Sequence, residues 1–249
     1  MSNHRIGLLV PSSNTTMETE LPRVFRRSAA ISGERFSFHA ARMRMKTVEP
    51  GELAAMNADA QHETCKLADA AVDVMAYACL VAVMAEGIGA HRVVEARLTA
   101  AARAAGCAAE VISSAGALVE GFHQLGVRST AIVTPYTKQT ATQVVDYIES
   151  EGVHVHDVIN LEVADNLAVG RLDPAQLPDI ASGLGTRGVD AVVLSACVQM
   201  PSLSAIPDAE KALGLPAVTA ATATSWKVLR ALGLPAIAEG SGALLRAAA

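Results

Sequence analysis

Aromatic side chains are scarce in this 249-residue chain, at 3% with a single tryptophan, Trp226, which removes the material for a base-stacking surface. Basic residues are short as well. Twenty Lys and Arg stand against 25 Asp and Glu, the net charge is −5 and no basic block occurs, so neither nucleic acid nor an anionic membrane surface is expected as a partner. The longest near-apolar stretch, Val74 to Ala85, has 12 residues, well below the approximately 18 that suggest a membrane span. The N-terminal MSNHRIGLLVPSSNTT has too short an apolar segment for a signal peptide and no cleavage site, which leads us to expect a cytoplasmic protein. Four cysteines, Cys65, Cys79, Cys107 and Cys197, form no CxxC pair and no Cys/His ligand spacing, which disfavours structural zinc and a disulfide framework. No GxxxxGK[ST] occurs, and the one GxGxxG match, Gly183 to Gly188, precedes a strand instead of following one, the reverse of a dinucleotide fingerprint. The seven histidines fall on separate elements or, as His154 and His156, alternate in a strand; none completes a Ser/His/Asp or HExxH set. We therefore expect no metal and no cofactor.

What the chain does have is apolar material, 51% of residues, and a length of roughly 1.7 average domains. Short apolar runs alternate with helical patterns, which predicts parallel βαβ units. The expected strands are Arg5 to Val10, Phe36 to Met43, Val72 to Ala78, Ala108 to Ser113, Ser129 to Thr134, Val153 to Ile159, Ala191 to Ala196 and Ala217 to Thr219. Helical spacing joins Leu53, Met56, Ala60, Thr64, Leu67 and Ala71, and again Val93, Ala96, Leu98, Ala101 and Ala105. Gly106, Gly126, Gly152, Gly188 and Gly214 stand where a helix should stop.

The second set of four strands repeats the first. Ile6-Gly7-Leu8-Leu9-Val10-Pro11 resembles Ala131-Ile132-Val133-Thr134-Pro135; Val74 to Leu80 aligns without a gap to Val192 to Val198; Val111 to Gly116 resembles Val218 to Ala223. Three matches in one order point to an internal duplication. The expected fold is α/β, with two pseudo-twofold-related Rossmann-like lobes, each carrying a roughly four-stranded parallel sheet, and the active site in the cleft between them. Residues 1–116 plus 222–249 are assigned to the first lobe and 117–221 to the second.

Cys79 and Cys197 occupy matched places in that duplication, each after an apolar strand and at the start of a loop. Lone cysteines in such places are commonly packing residues, so it is the pairing that marks these as catalytic candidates. Strand ends near helix N-termini are expected to lower a thiol pKa. Cys65, inside a helix, and Cys107, after Gly106, have no counterparts and read as packing residues. Ser12-Ser13-Asn14-Thr15-Thr16 follows the first strand and either cradles a carboxylate at a helix N-terminus or simply caps the helix. In the second lobe, Tyr136 offers a hydroxyl at the equivalent place, or packs at a loop edge. Asn166 lies in a loop-like segment where a surface turn residue is equally acceptable. Arg42, Arg44 and Lys46 alternate at a strand end, suited to attracting an anion but more often merely solvated.

The segments Val10 to Glu18, Ala76 to Cys79, Thr134 to Tyr136, Asp165-Asn166 and Ser195 to Ser202 together resemble the aspartate/glutamate racemase superfamily over essentially the whole chain, and within it the maleate cis-trans isomerases. The chain departs from the amino-acid racemases, which typically place Asn or Thr and then Ser or Thr after each cysteine, where Leu80-Val81 and Val198-Gln199 stand here. Arylmalonate decarboxylases are similar in fold but usually keep only the second-lobe cysteine. The resemblance implies cofactor-independent isomerisation of maleate to fumarate. It implies Cys79 as the nucleophile, with a succinyl-cysteine-like intermediate, and Cys197 as acid/base partner or electrostatic support. Asn14, Tyr136 and Asn166 would bind the substrate carboxylates, and the assembly would be a homodimer. The chemistry is coherent: thiolate addition makes the C=C bond single for as long as rotation needs, provided donors stabilise the enediolate. Two other readings stay open, a racemase or decarboxylase-type enzyme of the same superfamily and a noncatalytic dicarboxylate-binding protein.

Overall fold

The computed structural model describes residues 3–247, so Met1, Ser2, Ala248 and Ala249, which end the first-lobe assignment, lie outside the described residues. Strands and helices alternate along the chain. The first half comprises β1 (Asn3–Pro11), α1 (Met17–Ser32), β2 (Arg35–Met43), α2 (Pro50–Asp69), β3 (Val74–Tyr77), α3 (Leu80–Met84), α4 (Ala90–Ala104), β4 (Glu110–Ser113) and α5 (Ser114–Leu125). The second comprises β5 (Ser129–Thr134), α6 (Lys138–Ser150), β6 (His154–Asn160), α7 (Asn166–Val169), α8 (Leu177–Ser182), β7 (Ala191–Ser195), α9 (Ile206–Leu213), β8 (Ala217–Thr219) and α10 (Ala220–Ala231). All eight expected strands are present, each within two residues of its expected bounds.

The strands form two all-parallel sheets, ordered β2-β1-β3-β4 and β6-β5-β7-β8. The two orders are the same once the numbering is offset by four, as a duplication requires. Helices cover both faces, which is why β3 and β7 are buried at every position and read as unbroken apolar runs. The outer strands β2 and β6 keep exposed positions. One device that sequence reading missed is also duplicated. Just ahead of β3, the Asp73 carboxylate accepts the Arg5 N–H at 2.7 Å; just ahead of β7, Asp190 accepts the Arg128 and Ser129 N–H groups at 2.8 and 2.9 Å. Each aspartate ties the start of one central strand to its neighbour. Those backbone donors hold the Asp190 carboxyl below its ordinary pKa.

Matching caps close the β4–α5 and β8–α10 corners: Ser113 accepts the Gly116 N–H at 2.9 Å and Thr219 the Thr222 N–H at 3.1 Å. From there α5 and α10 pack together, joined by Thr224 Oγ1 donating to Ser114 Oγ at 2.8 Å, and α10 also lies against α1, β3 and β4 of the first sheet. In α2 the expected stripe from Leu53 to Leu67 is in the core, although Ala71 lies past the helix and is exposed. The α4 stripe is corrected. Val93 is 64% exposed, and the buried positions are Ala90, His91, Val94, Leu98, Ala101 and Ala102. Steps of four from Ala90 keep to one face of a 3.6-residue helix and include the expected Leu98, whereas Val93, Ala96 and Ala105 lie off it and are exposed.

Candidate active site

Corresponding strands end alike: β3 stops at Tyr77 and β7 at Ser195, and the candidate cysteine follows two residues later in each case. Cys79 does not open a loop as expected but is the extended N-cap residue of the short helix α3. Both thiols are buried and close enough that charge on Cys197 raises the pKa of Cys79. Tyr136, also buried, donates its hydroxyl to Cys197 Sγ. Backbone N–H groups complete the donor sets, one from Ala82 to Cys79 and two, from Gln199 at 3.4 Å and Met200, to Cys197.

The expected lowering of the thiol pKa values is overturned. Burial pushes Cys79 up to about 12, against the single opposing Ala82 N–H, and pushes Cys197 up as well. The strand-end argument counted donors but not desolvation, which penalises a thiolate more than one neutral N–H repays. The environments are nevertheless unequal. Three donors surround Cys197 and one serves Cys79, so the negative charge of the pair rests more easily on Cys197. In the ligand-free protein, alkylation of Cys79 by iodoacetamide should therefore keep accelerating with pH through about 10, measured by peptide mass spectrometry where circular dichroism shows the fold intact. A plateau near pH 8.5, as for an ordinary thiol, would contradict this environment.

Asn14 and Asn166 reach the same seam. The Asn14 Oδ1 accepts the N–H groups of Thr16 and Met17, both at 3.0 Å, while its Nδ2 donates to Val198 O at 3.5 Å across the lobes. These bonds fold the Ser12–Thr16 loop into a turn ahead of α1, whose N-cap residue is Thr16, and they fix the amide's flip and so the direction of its donor. Asn166 is not a surface turn residue. It is the buried first residue of α7, behind the Asp165 cap, and its Nδ2 donates to Ser13 Oγ at 2.8 Å. Arg42 pairs with Glu18 and donates to Ser12 O and Asn14 O at 2.9 and 2.6 Å, so it braces the Ser12–Thr16 loop from outside; Arg44 and Lys46 are exposed. Cys65 is half-buried on α2, and Cys107 donates to Val72 O at 3.4 Å, away from the seam. Among the described residues no group of three or more His, Cys, Asp or Glu is placed to hold a metal ion.

Three buried polar residues that sequence reading did not assign also serve this region. Asn57 accepts the Tyr77 hydroxyl and donates to Ala82 O at 2.8 Å, which steadies the peptide segment whose N–H faces Cys79. Glu20 accepts the N–H groups of Ser202 and Leu203 at 2.7 and 2.8 Å and fastens the segment after Cys197 to α1; burial raises its carboxyl pKa. Gln199 links three loops. A signal existed for Asn57 and Glu20, since each sets a polar side chain beside apolar residues of a buried helix face, Met56 and Ala60 for Asn57 and Met17 and Leu21 for Glu20.

A family model described as arylmalonate decarboxylase matches residues 6–245. A maleate isomerase of Pseudomonas putida is 54% identical over 98% of both chains, and one of Geobacillus stearothermophilus is 49% identical over 98% of both. The chain belongs to the maleate isomerase family. A solved isomerase of that family from Nocardia farcinica, a cysteine-to-serine variant carrying a covalently bound succinylcysteine intermediate, is 47% identical, covers all of both chains and superposes with a TM-score of 0.96. Unliganded arylmalonate decarboxylase, 22% identical with a TM-score of 0.76, shares the fold.

Proposed function

We propose that the protein isomerises maleate to fumarate without a cofactor, with Cys79 as nucleophile, Cys197 as its proton partner, and Asn14, Tyr136 and Asn166 binding the substrate carboxylates. The observation that carries this reading is the pair of buried thiols at the ends of corresponding strands, unequal in their donors. The reactive form is the pair with one proton removed, in which Cys197, with its three donors, holds the negative charge and Cys79 keeps its proton. As the Cys79 sulfur bonds to one alkene carbon, its proton passes to Cys197, and the π electrons move through the other alkene carbon into its carboxylate as an enediolate. Once Cys197 carries the proton, the Tyr136 hydroxyl, which burial keeps protonated, is released to turn its single hydrogen toward the enediolate, and with the two asparagine amides it stabilises that charge as a neutral donor. The former double bond is now single and rotates. Collapse of the enediolate re-forms the C=C bond, breaks the S–C bond and releases fumarate, and the Cys197 proton returns to Cys79. Protonation of the enediolate carbon by Cys197 gives the succinyl adduct, from which loss of a proton to Cys197 restores the same intermediate. Atoms, charge and electrons balance with no outside reactant.

Purified protein incubated with maleate alone should produce fumarate, read by proton NMR. Intact maleate with measurable binding would favour the dicarboxylate-receptor reading instead. Exhaustive chelation and dialysis should leave turnover unchanged, since each step uses the chain's own groups; activity lost and restored by one specific metal would overturn that. Tyr136→Phe, Asn14→Ala and Asn166→Ala should each lower kcat/KM by about a hundredfold or more, the effect of losing one donor to developing charge. Asn14→Ala should in addition cost about 1 kcal/mol of stability through the lost bonds from the Thr16 and Met17 N–H groups, seen as a lower Tm that Tyr136→Phe does not share. Wild-type efficiency in all three would put these residues outside the reaction. The cytoplasmic location, the homodimeric state and the lobe division at 116/117 and 221/222 belong to the same proposal; packing of α10 on the first sheet supports the last.

A further inference from the structure

Gln199 is buried, 2% exposed, and uses nearly every polar atom it has. Its main chain serves the Cys197 segment: the N–H donates to Cys197 Sγ at 3.4 Å, and the carbonyl accepts the Thr16 hydroxyl at 2.7 Å. Its side chain crosses the seam. Oε1 accepts the Thr15 N–H at 2.9 Å, while Nε2 donates to Ser13 O at 3.0 Å and to Asn166 O at 2.8 Å. One residue thereby fixes both flanks of Asn14, the backbone of Asn166 and a donor to Cys197.

A second observation is independent of these bonds. A Cβ added at Gly170, at the end of α7, would stand 2.5 Å from Gln199 Nε2 and 3.0 Å from Thr15 Oγ1. The Gly170 backbone, at φ −67°, is one that any residue adopts, so the conformation does not require glycine; the space for the Gln199 amide does. An added methyl group has to push that amide off the two carbonyls it joins.

We propose that Gln199 is a positioning residue for the isomerisation, holding the Asn14 loop, the Asn166 helix and Cys197 in one register so that donors and thiol face the same substrate. This rests on the function proposed above, so the test has one arm with substrate and one without. Gln199→Met keeps the volume and removes all three side-chain hydrogen bonds; Gly170→Ala leaves Gln199 intact and displaces its amide. In both, kcat/KM for maleate should fall by up to about a hundredfold, the scale of an ångström-sized misplacement, with KM raised as well as kcat lowered. In the substrate-free arm, the pH profile of Cys197 alkylation by iodoacetamide should move to higher pH while that of Cys79 does not move up with it, because a later-ionising Cys197 repels the Cys79 thiolate less. A merely structural loss reduces the active fraction and moves neither KM nor the alkylation profile. Wild-type KM and a wild-type Cys197 profile in the folded variants would overturn the proposal, and Gly170→Ala decides it if Gln199→Met does not fold. Failure of the wild-type protein to isomerise maleate would instead count against the proposed function, since the alkylation arm needs no substrate.

Discussion

Replacing Cys79 by alanine is expected to lower isomerisation by roughly 10⁴- to 10⁶-fold, the range produced elsewhere by removing one member of a nucleophilic catalytic set. Apart from Cys197, which three donors hold in the role of proton acceptor, no group of the proposed site has the polarisable lone pair the addition needs: Tyr136 is held protonated by burial, and the Asn14 and Asn166 amides are not nucleophiles. The high pKa of Cys79 does not weaken this expectation. A thiolate of high pKa is intrinsically the stronger nucleophile, and it forms only as its proton is taken. Cys65→Ala and Cys107→Ala should keep near-wild-type turnover, because Cys65 lies on α2 and Cys107 is engaged with Val72 O. A folded Cys79→Ala protein that retained a tenth of wild-type turnover would end the covalent account.

Replacing Cys197 by alanine is expected to lower kcat by between about 10² and 10⁴, the contribution of a positioned acid/base group. Three donors surround this sulfur, and alanine leaves them without an acceptor while Cys79 loses the group that receives its proton. Addition slows, and breakdown of any adduct slows with it, because the proton that must return to Cys79 has no holder. Cys197→Ser should lie between alanine and wild type. Its hydroxyl accepts the same hydrogen bonds, but it carries negative charge far less readily than sulfur does. Equal rates for Cys197→Ala and wild type, from stopped or continuous fumarate assays, would remove Cys197 from the mechanism.

The duplication makes most of this architecture legible in the sequence. The alignment of Val74–Leu80 with Val192–Val198 placed Cys79 and Cys197 two residues beyond β3 and β7, and unbroken apolar runs are what strands covered on both faces look like. What was not legible depended on contacts between distant segments. Asn166 looked like a turn residue because the partner that buries it, Ser13, lies in the other half of the chain. Gln199 received no role of its own from the sequence, since its three side-chain partners come from Ser13, Thr15 and Asn166. The thiol pKa direction failed for a related reason: local position supplies the backbone donors, but desolvation is set by everything packed around the cleft. In α4, Leu98 and Ala101 are in the core as expected while Val93, Ala96 and Ala105 are not, because the sequence lacks the reference face that the packing of Ala90, Val94 and Leu98 provides.

Acid quenching of the enzyme during turnover of maleate, followed by peptide mass spectrometry, tests the covalent step most directly. The account predicts an added maleate mass on the Cys79 peptide, increased in Cys197→Ser and missing from the Cys65 and Cys107 peptides, which control for indiscriminate alkylation. Fumarate formation at full rate with no adduct on Cys79 at any time point, in the wild type or the Cys197 variant, would contradict it.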